Sequence, residues 1–196
     1  MYRKEPLYVL LDRDGVINRR IPGGYVTSWE RFAFLPRALE GLRMFAEHDY
    51  RPIVISDQAS VGKGLMSTGG LGVITNRFRL EVALTGGNIA AVYYCTHKEE
   101  EGCDCRKPRL GLLFRAQVEH GFNPATTYFV SESEAWLEAA EKAGCPAIQI
   151  RSDAFLHEHS SNGGSRIIAS NLLEAAELVV ALQRGRTAEH AMAGAS

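Results

Sequence analysis

Asp12 and Asp14 stand one residue apart in Asp12-Arg-Asp-Gly15, directly after the apolar run Tyr8-Val-Leu-Leu11. Two carboxylates at that spacing can divide labour: Asp12 attacks as a nucleophile or holds a hard cation, while Asp14 handles a proton one step away, as an aspartyl-phosphate reaction requires. Gly15 lets the chain turn sharply so that both side chains and nearby amides converge. By itself the motif also reads as a polar turn after a strand. A calcium loop is a poorer reading, because Asn18-Arg-Arg-Ile21 brings neither further oxygen ligands nor a distal glutamate.

A second group is Ser56-Asp57-Gln58, behind the apolar run Pro52-Ile-Val-Ile55. A hydroxyl and backbone amides at a strand end can hold a phosphoryl group, and Ser56 is the candidate. Gly62-Lys63-Gly64 lacks the leading glycine and trailing hydroxyl of a Walker loop and reads as a flexible turn. Lys107, in Cys105-Arg-Lys-Pro108, could neutralise both a nucleophilic carboxylate and an incoming phosphate. Taken alone it reads first as a solvated surface charge.

The third group is Cys95-Thr-His97 followed, after five residues, by Cys103-Asp-Cys105. Three thiolates and one imidazole form a full tetrahedral set for Zn²⁺ with no open position, which is a structural site. The intervening Lys98-Glu-Glu-Glu-Gly102 is too polar to pack, so the metal would organise a loop without a core of its own. Cys145, beside Gly144 and Pro146, reads as a small buried hydrophobe.

Regular elements must position these groups. Tyr8–Leu11, Pro52–Ile55, Ala90–Tyr94, Thr127–Val130 and Ala147–Ile150 are apolar enough to be strands buried on both faces. Arg37–His48, Leu71–Thr85, Leu112–His120 and Glu134–Ala143 carry apolar residues at helical spacing. Strand and helix alternate, which predicts a parallel α/β sheet with helices on both faces. Gly121 and Gly144 sit where helices end, and Pro146 enforces an extended restart. Ser160–Ser165 reads as a polar loop, Leu172–Leu182 as a terminal helix and Gly185–Ser196 as a frayed tail, giving one domain over 1–184 and a disordered 185–196.

Composition narrows the class. The 196 residues carry 22 basic and 23 acidic side chains, so no global field draws the chain to nucleic acid or an anionic membrane, and an anionic ligand must meet a local basic site. The apolar run behind the N-terminus is too short for a signal peptide or membrane span. Clustered cysteines without an export signal point to metal before disulfide and to the cytoplasm, and a monomer is the expected state.

Together these pieces resemble the haloacid dehalogenase superfamily, in its small zinc-containing branch of heptose-1,7-bisphosphate and histidinol-phosphate phosphatases. Leu10–Asn18 looks like the first motif of that family, and Gly24–Val26 with Phe32–Phe34 like the segment after it. Ser56–Gly64 is similar to the second motif, and Tyr93–His97 with Cys103–Pro108 and Gly111 to the zinc loop and third motif. The resemblance spans about residues 7–150 and implies a doubly wound Rossmann-like fold with no large cap domain and a zinc-stapled loop. It implies Asp12 as nucleophile and Mg²⁺ ligand, and Asp14 as general acid and base with its carbonyl on the metal. Ser56 and Lys107 would hold the phosphoryl group, Gln58, Asp57 and Arg106 would read the substrate, and Cys95, His97, Cys103 and Cys105 would bind zinc.

The fourth motif of the family should read Gly-Asp and, after three residues, a second Asp; this chain has Ser131-Glu-Ser-Glu-Ala-Trp136. Glu132 in place of the metal-binding Asp displaces the carboxylate by ~1.5 Å on a fixed backbone, which magnesium tolerates poorly. Trp136 reads as core, sharing a helical face with Ala140 and Ala143, and Glu134 offers a substitute acid from another angle. Asp57 replaces the usual Asn and Ser60 the usual Gly. An acid beside a phosphate adds repulsion on the order of 4 kcal/mol at ~4 Å and an effective dielectric of ~20. Two functions follow as expectations: a Mg²⁺-dependent phosphatase acting on a sugar phosphate, foremost a heptose bisphosphate with histidinol phosphate as the alternative, or a catalytically impaired homologue kept as a ligand-binding or regulatory protein. Arg19, Arg20, Lys98 and Arg109 are the candidates to meet a second phosphate.

Overall fold

A computed structural model describes residues 6–151 and 166–193. The strands are β1 (Leu7–Leu11), β2 (Tyr50–Asp57), β3 (Ala91–Cys95), β4 (Tyr128–Ser131), β5 (Ala147–Ile150) and β6 (Ile167–Ala169). They form one sheet in the order β3-β2-β1-β4-β5-β6, and every neighbouring pair is parallel. The helices are α1 (Ala38–Glu47), α2 (Ala59–Gly62), α3 (Thr68–Leu84), α4 (Gly111–His120), α5 (Glu134–Lys142) and α6 (Leu172–Ala193).

The strands alternate between two cores. Val9 and Leu11 of β1 face the cluster that buries Leu42 and Phe45 of α1, Ile74 and Phe78 of α3, and Val179 of α6. Tyr8 and Leu10 face the opposite cluster, with Leu113 and Ala116 of α4 and Trp136 and Ala140 of α5. Both faces of the sheet are therefore covered, which is why apolar residues of the central strands point to both sides of it. Among the described residues no cap domain interrupts this plan. The excursion after β1 folds back on itself: Asn18 bridges to Asp14 and to Phe34, and Phe32 stacks between Trp29 and Phe78, pinning the loop to α3.

Several expected boundaries shift. The helix expected from Leu71 begins at Thr68, where the Ser67 hydroxyl accepts from the Gly70 amide. The turn expected at Gly62 is preceded by the short helix α2. β6 was not foreseen; three residues are too short for a periodic signal, and β5 supplies the edge that orders them. The terminal helix does not stop at Leu182 but continues through Gly185 to Ala193. One glycine between good helix formers costs about 1 kcal/mol, too little to end a helix. The polar loop Ser160–Ser165 lies outside the described residues. Gly121 and Gly144 do adopt the left-handed conformation behind α4 and α5, with φ of 67° and 82°.

α1 crosses the start of α6 at Gly41, where a Cβ would lie 2.7 Å from the Leu172 carbonyl. Gly41→Ala is expected to lower the thermal midpoint by on the order of 2–5 °C, although alanine is the better helix former. An unchanged or higher midpoint in a calorimetric scan would show that this crossing has slack.

Candidate active site

The sheet reverses its direction of growth between β1 and β4, and a cleft of about 460 Å³ opens there, at the carboxyl ends of the strands. Asp12, Asp14, Ser56, Asp57, Gln58, Arg106, Lys107 and Glu132 all line it, so the topology brings together every expected residue of the reaction site. The register explains how. Leu11 pairs with Val54 of β2 and Val130 of β4, so the residues just beyond these rungs meet at one edge.

Asp12 is 3% exposed. Its Oδ1 accepts the Arg13 amide at 2.8 Å and its Oδ2 the Ser131 hydroxyl at 3.0 Å. The same hydroxyl accepts the Ser133 amide, which turns its proton toward Asp12. Burial pushes the Asp12 carboxyl up to about 7, against the pull of Lys107 and with a further push from Asp14. Asp14 is held by Asn18 Nδ2 at 2.7 Å, Gln58 Nε2 at 2.7 Å and the Arg13 guanidinium at 2.9 Å. Gln58, expected to read the substrate, lines the cleft and has both ends of its amide engaged inside the protein: Oε1 accepts from Arg13, and Nε2 donates to Asp14 and, at 3.1 Å, to Ser56 Oγ.

Asp57 does more than repel. Its side chain is 7% exposed and lies 4.0 Å from the Arg106 guanidinium. Burial raises its carboxyl, while Lys107 and Arg106 draw it down. Glu132 rests over Gly15, where an added Cβ would overlap the glutamate's carboxyl group, and Arg20 reaches it at 3.5 Å. Gly15 itself has φ of 86°, so the position needs glycine for both reasons. Glu134 turns away as a substitute acid, because Arg166 binds it together with Glu141. Trp136 is fully buried against Phe129, with Lys107 Nζ 5.8 Å above its ring. Of the candidates for a second phosphate, Arg20 borders the cleft, whereas Arg109 is engaged by the Gly102 and Cys103 carbonyls and Asp104.

Behind the cleft the donor atoms of Cys95, His97, Cys103 and Cys105 lie within 4.8 Å of one another and could hold a metal ion. Cys105 Sγ is 3.3 Å from Cys95 Sγ, 3.4 Å from Cys103 Sγ and 3.1 Å from His97 Nδ1. A tetrahedral ion with ~2.3 Å bonds to sulfur would space thiolates at roughly 3.8 Å, so small outward shifts would admit one. The Cys95 carbonyl accepts the Gln58 amide at 2.6 Å and the Thr96 carbonyl accepts that of Gly62, fastening this loop to the cleft. Cys145 is buried, as expected of a small hydrophobe.

Three residues of the site escaped the sequence reading. Ser131 is legible only once β4 is known to lie beside β1, and Asn18 only once the loop folds back. Arg13 carried no signal of burial, since a charge in the turn behind a strand ordinarily faces solvent, and only the fold places it inside.

No family model matches the chain. It is 37% identical over 151 residues, 72% of its length and 78% of the relative's, to the D-glycero-alpha-D-manno-heptose-1,7-bisphosphate 7-phosphatase of Mycobacterium tuberculosis. It is 32% identical over 144 residues, 73% of its length and 81% of the relative's, to the D-glycero-beta-D-manno-heptose-1,7-bisphosphate 7-phosphatase of Pseudomonas putida. The chain belongs to the heptose-bisphosphate phosphatase family of the haloacid dehalogenase superfamily. The crystal structure of the family's B. bronchiseptica protein, complexed with magnesium and phosphate, superposes with a TM-score of 0.82 at 27% identity, covering 91% of this chain and 99% of that one. The Burkholderia thailandensis D,D-heptose 1,7-bisphosphate phosphatase shares the fold, with a TM-score of 0.66 at 22% identity over 87% of this chain and 96% of that one. Relatives named for both anomers match this family member.

Asp12 takes up a proton near pH 3.8 in the unfolded chain and near 7 in the metal-free fold, so stability falls as pH rises through that window. Asp12→Asn is expected to raise the unfolding free energy at pH 8 in magnesium-free buffer, by on the order of a few kcal/mol, and to have little effect at pH 4. A gain that is the same at both pH values would contradict the burial argument.

Proposed function

We propose that the chain is a Mg²⁺-dependent phosphoric monoester hydrolase that removes the 7-phosphate of a D-glycero-D-manno-heptose 1,7-bisphosphate through an aspartyl-phosphate. The observation that carries this reading is the convergence of Asp12, Ser56 and Lys107 on one cleft, in a chain of that family. Asp12 attacks phosphorus, and the bond to the sugar oxygen breaks with its electron pair on that oxygen, which takes a proton from Asp14. Asp14 then accepts a proton from water, whose oxygen attacks phosphorus, and the bond to Asp12 breaks to release phosphate and restore the carboxylate. Ser56 and Lys107 hold the transferring oxygens, and Arg106 reads the substrate. The Asp12 and Glu132 carboxylates and the Asp14 carbonyl offer the hard oxygen donors that suit Mg²⁺. When bound there, the ion would lower the charge repulsion between nucleophile and ester. Arg20 at the cleft's border supports a substrate with a second anionic end over histidinol phosphate.

A second reading, a catalytically impaired ligand-binding homologue, draws on the engagement of Glu132 by Arg20 and on the buried Asp57. Four unpaired cysteines support a reducing, cytoplasmic setting, and among the described residues no helix is long and apolar enough to cross a membrane. A monomer, in one domain, is the working state of this proposal.

Purified protein assayed with Mg²⁺ is expected to release phosphate from heptose bisphosphate faster than from histidinol phosphate, and far above an Asp12→Asn control. A silent wild type with activity recovered in Glu132→Asp/Asp57→Asn would favour the impaired homologue. If both stay at the control level, the assignment of the site itself fails.

We assign zinc to the Cys95, His97, Cys103 and Cys105 set, on its three thiolates and imidazole. About one equivalent of zinc should copurify with the protein. Cys103→Ser is expected to lose most of it and to lower kcat, because Arg106 and Lys107 follow directly on the loop. Full metal content in that variant, by atomic emission, would remove Cys103 from the ligand set.

A further inference from the structure

Arg13 is buried at a cost that packing does not explain. Its side chain is 0% exposed, and its Nε and Nη1 have no hydrogen-bond partner. An apolar chain of similar length would fill the same space without a desolvated charge. The guanidinium lies 5.8 Å from the centre of the Tyr94 ring, and the hydrogen bonds of its Nη2 bear on the reaction site.

Nη2 carries two protons and meets three acceptors: Gln58 Oε1 at 2.9 Å and the two Asp14 oxygens at 2.9 and 3.0 Å. One proton satisfies the glutamine and the other is shared across the carboxylate. With Oε1 turned to Arg13, the Gln58 amide must present Nε2 to Asp14 Oδ2 and Ser56 Oγ. Asn18 Nδ2 completes the set on Asp14 Oδ1. Three N–H donors then occupy a carboxylate with about four lone-pair directions. The Asp14 side chain is 26% exposed and borders the cleft, so the direction left over faces the substrate.

We propose that Arg13 is a positioning residue for proton transfer: it sets the polarity of the Gln58 amide, and both together leave one position of the Asp14 carboxyl, the one that carries the transferable proton, aimed at the ester oxygen. This rests on the phosphatase reading, with Asp14 giving its proton to the leaving oxygen as the P–O bond breaks. Without the guanidinium the amide can flip, which turns its oxygen toward the carboxylate and releases Asp14 from its aim. Asp12 keeps its own partners, the Arg13 backbone amide and Ser131, so nucleophilic attack is spared.

The test compares kcat/KM, which reports the steps through aspartyl-phosphate formation, for an alkyl phosphate and for p-nitrophenyl phosphate, whose phenolate leaves without a proton. Arg13→Met is expected to lower the alkyl value by ~100-fold and the aryl value by less than ~5-fold. Arg13→Lys, which restores a charged donor, should recover at least ~10-fold of the alkyl loss. Equal losses on both esters, or none, with the wild type active, would overturn the positioning role while leaving the phosphatase reading intact. If Arg13→Met does not fold, the same ester comparison in Arg13→Lys decides, since a lysine that misaims Asp14 must still penalise the alkyl ester more. A wild type silent on both esters would sink the phosphatase reading and this role with it.

Discussion

A carboxylate removed from water, that of Asp12, stands at the tip of β1, and the surrounding structure is arranged around it. Asp12 lies between the two strands that flank β1, so β4 supplies the Ser131 hydroxyl and β2 brings Ser56 to the same edge. Backbone and hydroxyl donors stabilise the ionised form but do not neutralise it. The cation that acts on Asp12 is Lys107, delivered by the loop that also carries the cysteine and histidine cluster. The cysteine and histidine loop and the cleft are therefore one mechanical unit, joined by the backbone bonds from Gln58 and Gly62 to Cys95 and Thr96.

Charge in the cleft is finely balanced. Asp12, Asp14, Asp57 and Glu132 line it opposite Arg20, Arg106 and Lys107, with Arg13 beneath. Acids and bases offset one another, which leaves little net field to draw in a phosphate ester. A divalent cation held by Asp12 and Glu132 would tip this balance, so metal binding and substrate binding are expected to be coupled. The departures at 57 and 132 belong to the same balance: Asp57 is drawn toward Arg106, and Glu132 meets Arg20 across the glycine that makes room for it.

The parallel sheet was legible because buried strands must be apolar at every position and amphipathic helices must alternate with them; Val9 and Leu11 facing one core while Tyr8 and Leu10 face the other is the physical content of that pattern. β6 and α2 were not legible, since three or four residues carry no period and their order comes from neighbours. The tail beyond Leu182 was expected to fray as chain ends do, yet α6 runs on to Ala193, because a glycine stops a helix only where the chain must turn left-handed.

Reactive residue types, their spacing and their place at strand ends were properties of the sequence itself, because the sheet's carboxyl edge is where loops from successive strands must meet. Asp12, Ser56 and the cysteine and histidine set could be put forward as candidates on that ground, whereas Lys107 rested on the resemblance to the phosphatase family. Partnership was decided only in three dimensions. Whether Gln58 faces substrate or braces Asp14, whether Asp57 repels or pairs, and whether Glu134 reaches the cleft or Arg166 all depend on which side chains compete for the same donors. That competition is set by distances of a few ångströms between segments remote in sequence, and no local pattern of residues encodes them.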